Sequence, residues 1–232
     1  KHVASTLALH HEAFLQLNLS SAWQRVVGLV VQPGVEFDNT QVFDYVSSAA
    51  QQLKHYIKSV DGIAFEAHST DYQTPIAYQQ LVNDHFAILK VGPELTFALR
   101  EALFALSHIE DALIDTEQCS HLRTVVDADM QQHPKNWQRF YQVEQSLQQL
   151  YRRFSFSDRI RYYWGKQGNQ NAVEKLLCNL QNQPIPLPLL SQYMPLQYLA
   201  VRNKTLENNP KALVIHHIMQ VTSRYADACF KQ

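Results

Sequence analysis

Three short apolar runs in the first half of the chain constrain its fold more than any other feature. They lie at residues 25–31, 62–67 and 86–91, and each is of strand length with little polar alternation. Uninterrupted runs of this kind are typical of strands that are buried on both faces, as in parallel sheets. Each run ends in polar residues, glycine or proline, and a segment with helical spacing follows it. This order predicts an α/β fold with three right-handed, parallel βα units.

The spacing of apolar residues also predicts the helices. They are expected at residues 42–58, 75–83 and 95–114 after the three strands, and then at 121–132, 137–151, 158–166, 171–180 and 210–230. Asn209 and Pro210 match an N-cap and a first helical position. Residues 184–188 contain three prolines and predict an extended connection. Because strand signals nearly vanish after residue 115, we predict a domain of three βα units at 1–115 and a helical extension at 116–232.

Three βα units do not make a closed structure. A complete (β/α)₈ barrel takes roughly 250 residues, and only residues 1–115 carry the strand–helix order here. Three strands alone would leave two apolar sheet edges unpaired. Since the chain starts at Lys1 rather than at a methionine, we expect the missing strands to lie upstream in the same polypeptide or to come from another chain.

Charge and cysteine content exclude several classes of protein. The net charge is −1, from 20 basic and 21 acidic residues, which gives no basic patch for nucleic acid or an anionic membrane. The longest apolar runs are too short to span a bilayer. Cys119, Cys178 and Cys229 form no C-x-x-C pair, which favours a reducing, cytoplasmic location over a disulfide framework or a zinc site. Phosphate-binding G-x-x-x-x-G-K-[ST] and dinucleotide-binding G-x-G-x-x-G motifs are also absent from the sequence.

The residues that end the strands are the first candidates for chemistry, because parallel α/β folds work at the carboxyl ends of their strands. Glu66 and His68 are two positions apart, so their side chains share one face and could bind a divalent metal or transfer a proton. Lys90 interrupts an apolar strand and could form a Schiff base with a sugar carbonyl. The alternative for Glu66 and His68 is that they are hydrogen-bonded polar residues at the strand rim or a simple ion pair. The alternative for Lys90 is a buried lysine neutralised by Glu66 or a neighbouring carboxylate.

Other polar groups at these strand ends are candidates for binding a sugar phosphate. They are Gln32, Glu36, Ser69, Thr70, Asp71 and Gly92. Loops of this kind often hold phosphate through backbone N–H groups and a helix N-terminus. Ordinary helix capping explains the same residues equally well.

A segment in the second half combines arginine with aromatic residues, the types that are enriched at binding hot spots. Arg159, Tyr162 and Trp164 are therefore candidates for binding a partner protein. The stiff apolar segment 184–195 would lose little entropy on docking. The alternative for both segments is packing of the helical extension against the outer helices of the first domain.

Six segments of the chain resemble the Z subunit of D-tagatose-1,6-bisphosphate aldolase (GatZ/KbaZ type), and the resemblance runs from about residue 11 to the C-terminus. These segments are VVQPGVEF (30–37), FEAHSTDYQ (65–73), DHFAILKVGP (84–93), LTFALREA (95–102), SDRIRYYW (157–164) and IPLPLLSQY (185–193). The resemblance implies a TIM barrel related to class II aldolases, of which this chain supplies the last three βα units and the C-terminal helical extension.

The resemblance also implies a function. Members of this family are non-catalytic partners of a zinc-dependent Y subunit and are needed for its full activity and stability, with a chaperone-like role among the possibilities. We therefore expect a cytoplasmic accessory subunit in galactitol or N-acetylgalactosamine catabolism, on the route of D-tagatose 6-phosphate degradation. No cofactor is expected in this chain, and zinc is expected in the partner. The alternative is a barrel enzyme that acts on a sugar phosphate by itself, either an aldolase-type lyase or the tagatose-6-phosphate kinase that some members are labelled.

Overall fold

A computed structural model describes residues 2–182 and 184–230, which form a mixed α/β, mostly helical structure. The strands are β1 (Gly28–Val31), β2 (Glu36–Phe37), β3 (Val42–Phe43), β4 (Ala64–Ala67) and β5 (Ile88–Leu89). The α-helices are α1 (His2–Gln16), α2 (Ser20–Trp23), α3 (Gln51–Ile57), α4 (Pro75–Asn83), α5 (Pro93–Leu113), α6 (Leu122–Gln132), α7 (Gln145–Phe154), α8 (Gln167–Gln181), α9 (Leu187–Tyr193), α10 (Pro195–Arg202) and α11 (Pro210–Phe230). Short 3₁₀ helices cover Ser47–Ala50, Thr116–Gln118, Pro134–Asn136 and Arg159–Tyr162.

The three predicted strands form one parallel sheet in the order β1-β4-β5. Val30 pairs with Glu66, and Glu66 pairs with Ile88, so these side chains form one row across the sheet. The prediction of neighbouring parallel strands is confirmed, although each strand is shorter than its apolar run. β2 and β3 form a separate antiparallel ribbon that the sequence did not predict.

The two faces of the parallel sheet differ sharply in burial. One face carries Val31, Phe65 and Ala67 into the core of the first half of the chain. On the opposite face, Val30 is 54% exposed and Ile88 is 40% exposed. One face of the sheet is thus packed, while the other presents apolar side chains that no described residue buries.

The helix predicted at residues 42–58 is wrong in its first half. Residues 42 and 43 belong to β3, and the α-helix begins only at Gln51. The Gln73 side chain explains the difference, because its amide donates to the Phe43 carbonyl at 3.0 Å and accepts from the Tyr45 backbone N–H at 2.9 Å. These two bonds hold the backbone at 43–45 extended and use groups that a helix would need.

The helices predicted at 137–151 and 158–166 are also wrong in extent. α7 begins at Gln145, and residues 159–162 form a single 3₁₀ turn. Asp158 adopts a left-handed conformation with φ of 46°, which an α-helix does not accommodate. The helices predicted at 75–83, 95–114, 121–132, 171–180 and 210–230 are confirmed within a few residues. Asn209 caps α11 as expected, because its Oδ1 accepts from the backbone N–H groups of Lys211 and Ala212.

The chain divides into two compact units. The first contains the described residues of Lys1–Phe37, Gln41–Gly92 and Arg224–Gln232, and the second contains Asp38–Thr40 and Pro93–Ser223. The units divide between residues 92 and 93, whereas the sequence predicts a domain boundary between 115 and 116. Helix α5 accounts for the difference, because its apolar side chains, including Leu103, Leu106 and Ile109, belong to the core of the second unit. No described helix is both long enough and apolar enough to cross a membrane.

Candidate functional site

The carboxyl ends of β1, β4 and β5 lie at one edge of the parallel sheet and carry the residues predicted to do chemistry. The Lys90 ammonium lies 3.5 Å from the Glu66 carboxylate, so the structure brings these two candidates together as an ion pair. The Lys90 side chain is 54% exposed rather than buried. Its position therefore combines a carboxylate partner with access to solvent, and its role in Schiff-base chemistry stays a prediction.

His68 follows β4 and extends its hydrogen bonding, because its backbone N–H donates to the Val31 carbonyl at 3.0 Å. Its Nδ1 lies 2.9 Å from the Ser69 hydroxyl oxygen. Within the described residues, Glu66 and His68 belong to no cluster of three metal-ligating side chains. A metal bound by these two residues alone would need further ligands, and the metal assignment stays a prediction.

Two loops at this edge are tied together by the residues proposed to bind phosphate. The Thr70 hydroxyl donates to the Lys90 carbonyl at 2.9 Å, and the Asp71 carboxylate accepts from the Gly92 backbone N–H at 2.8 Å. Thr70 and Asp71 are almost fully buried. The Thr70 hydroxyl proton and the Gly92 N–H are thus already engaged within the protein, which leaves the Ser69 side chain and the Lys90 ammonium as the more open groups.

The loop after β4 holds two residues in an unusual backbone conformation. Ser69 and Tyr72 have φ values of 57° and 65°, in the left-handed region that favours glycine. Each such residue costs roughly 1–2 kcal/mol, so the loop persists because its contacts hold it in place. Left-handed conformations at Ser69 and Tyr72 were not foreseen from the sequence.

Tyr225 supplies one of these contacts from a distant part of the chain. Its hydroxyl donates to the Thr70 carbonyl at 3.1 Å and accepts from the Tyr78 hydroxyl at 3.2 Å. The Tyr78 and Tyr225 rings lie 4.3 Å apart. The last turns of α11 therefore support the loop that carries the candidate residues. Sequence reasoning missed Tyr225, because no local pattern links residues that are 155 positions apart.

The remaining phosphate candidates are exposed. Glu36 accepts a hydrogen bond from its neighbour, the Phe37 backbone N–H, at 3.1 Å. Gln32 follows β1 directly and is also exposed. Within the described residues, neither Gln32 nor Glu36 takes part in the hydrogen bonds of Thr70, Asp71 and Gly92. The role of Gln32 and Glu36 in ligand binding stays a prediction.

The three partner candidates lie in the second unit, in two different environments. The Arg159 guanidinium lies 3.2 Å from the centre of the Phe140 ring and 5.7 Å from that of Tyr162. Burial, together with the guanidinium charges of Arg161 and Arg139, lowers the pKa of Arg159. Trp164 instead lines an apolar cavity of about 300 Å³ with Leu99, Leu103 and Val173. Its indole N–H is buried without a hydrogen-bond acceptor among the described residues.

A buried ion pair that sequence reasoning missed lies in the same unit. The Arg100 Nε lies 3.7 Å from the Asp158 carboxylate, and both side chains are nearly inaccessible to solvent. The Thr96 hydroxyl donates to the other oxygen of Asp158 at 2.5 Å. Burial raises the pKa of Asp158 to about 6, against the opposing effects of Thr96 and Arg100. The pair therefore lies in the interior of the second unit.

Within the described residues, one cluster of potential metal ligands lies in the second unit and consists of Glu110, Asp111 and Cys119. Glu110 is fully buried and accepts hydrogen bonds from the Ser120 N–H at 2.9 Å and the Asn179 amide at 2.7 Å. Asp111 forms an ion pair with Arg123. Both carboxylates of the cluster are thus engaged by other groups of the protein.

Comparison with known proteins places the chain in a family. The sequence model of D-tagatose-1,6-bisphosphate aldolase subunit GatZ/KbaZ-like proteins matches residues 1–230. A crystal structure described as a probable tagatose 6 phosphate kinase from Sinorhizobium meliloti 1021 has 43% sequence identity to the chain and a TM-score of 0.95. The match covers 98% of this chain and 59% of that one, so the chain spans little more than half of its relative. The chain belongs to the GatZ/KbaZ-like family of D-tagatose-1,6-bisphosphate aldolase subunits.

Proposed function

We propose that the protein is a non-catalytic accessory subunit that binds the zinc-dependent catalytic subunit of tagatose-1,6-bisphosphate aldolase and raises its activity and stability. The observation that carries this proposal is the family match over residues 1–230, whose description is that of an aldolase subunit. A partner that binds only the folded catalytic subunit stabilises it by mass action. The setting we propose is cytoplasmic galactitol or N-acetylgalactosamine catabolism.

The fold proposed for the whole protein is a TIM barrel, with β1, β4 and β5 as its last three strands. Two observations support this assignment. The strands are parallel, and their order in the sheet follows their order along the chain, as in a barrel. The open face of the sheet carries Val30 and Ile88, which are apolar and exposed. Side chains from the remaining strands would fill the space in front of this face, and those strands would be supplied by the same polypeptide or by another chain.

The arrangement at the sheet edge is compatible with an accessory role. The Thr70 hydroxyl donates to the Lys90 carbonyl, and the Asp71 carboxylate accepts from the Gly92 backbone N–H. The Lys90 ammonium forms an ion pair with Glu66. These contacts stabilise two loops without requiring a substrate. In this proposal, zinc and the groups that cleave the sugar bisphosphate belong to the catalytic subunit.

The proposal is tested by adding the full-length protein to the purified catalytic subunit. We expect a higher rate of tagatose 1,6-bisphosphate cleavage, a higher thermal midpoint of the catalytic subunit, and co-elution of the two proteins in size-exclusion chromatography. An equal amount of an unrelated protein of similar charge is the control. An unchanged rate, an unchanged midpoint and separate elution would contradict the accessory role.

The second candidate is an enzyme that acts on a sugar phosphate by itself. Its support is the position of Glu66, His68 and Lys90 at one sheet edge, together with the kinase description of the structural relative. If Lys90 forms a Schiff base, borohydride will trap an adduct between the protein and tagatose 1,6-bisphosphate, and Lys90→Met will abolish it. Metal analysis of a Glu66→Gln variant tests the metal role. Absence of an adduct and of stoichiometric metal would remove this candidate.

A further inference from the structure

Five side chains in the second unit alternate between arginine and an aromatic ring. Arg139 and Arg159 lie 4.7 Å and 3.2 Å from the centre of the Phe140 ring, and Arg159 and Arg161 lie 5.7 Å and 4.6 Å from that of Tyr162. We call this set the arginine ladder. Its rings are exposed, by 36% for Phe140 and 47% for Tyr162. Cations and accessible rings therefore share one surface.

Two arginines of the ladder, Arg139 and Arg159, lack the acidic partners that other arginines of this unit have. Arg100, Arg123 and Arg152 each face an aspartate. Within the described residues, Arg139 and Arg159 form no ion pair with a carboxylate. Since the chain as a whole has a net charge of −1, this local excess of positive charge does not follow from the overall composition.

The hydrogen-bonding groups of the ladder are also incompletely used. Arg161 donates to the Ser157 carbonyl at 2.6 Å and to the Tyr162 hydroxyl at 3.0 Å, which fixes its position. The Arg159 Nε is buried and has no acceptor among the described residues. A guanidinium stacked on a ring keeps the N–H groups of its edge available, and their fork matches a carboxylate.

We propose that the arginine ladder binds a carboxylate-rich segment of a partner polypeptide. This proposal rests on the accessory role proposed above and adds the chemistry by which the partner is recognised. Three cations separated by two rings suit several carboxylates along a chain better than one phosphate, which needs donors that converge on a point. The exposed rings add apolar area, as is common at binding hot spots. Acidic groups here would relieve the repulsion among the three guanidinium charges.

The test measures binding of a fluorescein-labelled hexaglutamate peptide to the full-length protein by fluorescence anisotropy at low ionic strength. The variant carries Arg139→Gln and Arg159→Gln. The matched control carries Arg202→Gln and Lys211→Gln, which remove the same charge elsewhere, and Arg202 also lies against a tyrosine ring. We expect the ladder variant to bind about three- to tenfold more weakly, the control to bind as the wild type does, and added salt to reduce the difference.

Three results would overturn the proposal. The first is that the ladder variant and the control variant bind hexaglutamate with equal affinity. The second is that the wild-type protein binds a hexaglutamine peptide as tightly as hexaglutamate. The third is that inorganic phosphate displaces the peptide while sodium chloride of equal ionic strength does not, which would indicate a small-anion site. If the double variant unfolds, Arg159→Lys tests the ladder instead, because lysine keeps the charge but lacks the planar guanidinium. We expect this variant to lose part of the peptide affinity. Wild-type affinity of Arg159→Lys would count against the ladder. Because the peptide assay contains no catalytic subunit, its failure with aldolase activation intact would refute the ladder and leave the accessory role standing.

Discussion

The Tyr225 hydroxyl, near the end of the described chain, donates a hydrogen bond of 3.1 Å to the carbonyl oxygen of Thr70. The same hydroxyl accepts from Tyr78, whose own oxygen accepts from the Gln73 backbone N–H. The Tyr225 hydroxyl thus contacts the main chain of the loop after β4 at Thr70. It also contacts the Tyr78 side chain, which in turn binds the end of that loop at Gln73. The last turns of α11 are therefore part of the candidate site.

Replacing Tyr225 by phenylalanine will loosen this loop. The change removes the hydrogen bond that Tyr225 donates to the buried Thr70 carbonyl and the one that it accepts from the Tyr78 hydroxyl, at an expected cost of about 1–3 kcal/mol. Chemical denaturation gives the free energy of unfolding, and hydrogen exchange of the amides at 68–73 should accelerate. Tyr198→Phe is the control, since its hydroxyl contacts only the exposed Arg202 in the described structure. Equal effects of the two variants would contradict this role for Tyr225.

Asp84 will contribute stability that is lost in acid. Burial alone would raise its pKa, but hydrogen bonds from Lys54, Ser47 and Tyr45 outweigh burial and lower it. An aspartate with a lowered folded-state pKa contributes stability above its unfolded-state pKa near 3.9 and loses it as pH falls through the folded value. We expect Asp84→Asn to cost about 1–3 kcal/mol at pH 7, and the difference from wild type to shrink below pH 4. Asp61→Asn, at an exposed position, should show neither effect.

Asp158 will have the opposite pH dependence. Its pKa is raised to about 6 because burial disfavours the carboxylate. The folded state therefore binds the proton more tightly than the unfolded state, and the contribution of Asp158 to stability falls as pH rises from about 4 to 6, by up to about 3 kcal/mol. Asp158→Asn should remove this component from the pH profile of the unfolding free energy. A variant profile parallel to that of the wild type over this interval would contradict the assignment.

The open face of the sheet provides a test of the proposed barrel. Ile88 is 40% exposed here, so Ile88→Asp should change the stability of a polypeptide with these boundaries by less than about 1 kcal/mol. In a full-length barrel the same change would bury an unpaired carboxylate and cost several kcal/mol. Ile76→Asp, on the exposed side of α4, is the control and should have little effect in either protein. Equal small effects of Ile88→Asp in both proteins would count against the barrel.

The sequence predicts the parts of the fold that depend on local patterns. The parallel strands follow from continuous apolar runs, and α5 and α11 follow from long helical spacing. The segment at 42–58 was mispredicted because the amide of Gln73, some 30 residues away, holds its start extended. A hydrogen bond from a side chain that is distant in sequence does not change the spacing of apolar residues in the segment it contacts, so that spacing cannot reveal it.

The same reasoning applies to the site. Placement of Glu66 and Lys90 at one edge follows from the rule for parallel sheets, and the structure shows them paired. The bonds that join Thr70 to the Lys90 carbonyl and Asp71 to the Gly92 N–H could not be foreseen. Their existence depends on backbone orientation in two loops, which residue identity alone does not specify.

The uncovered face of the parallel sheet has a practical consequence for the isolated polypeptide. Within the described residues, β1 and β5 are edge strands, and Val30 and Ile88 project from the adjoining face. Unpaired backbone groups beside exposed apolar side chains are a template for strand addition between molecules. The isolated polypeptide is therefore expected to self-associate as its concentration rises, and expression together with the further strands of the proposed barrel is expected to reduce this association.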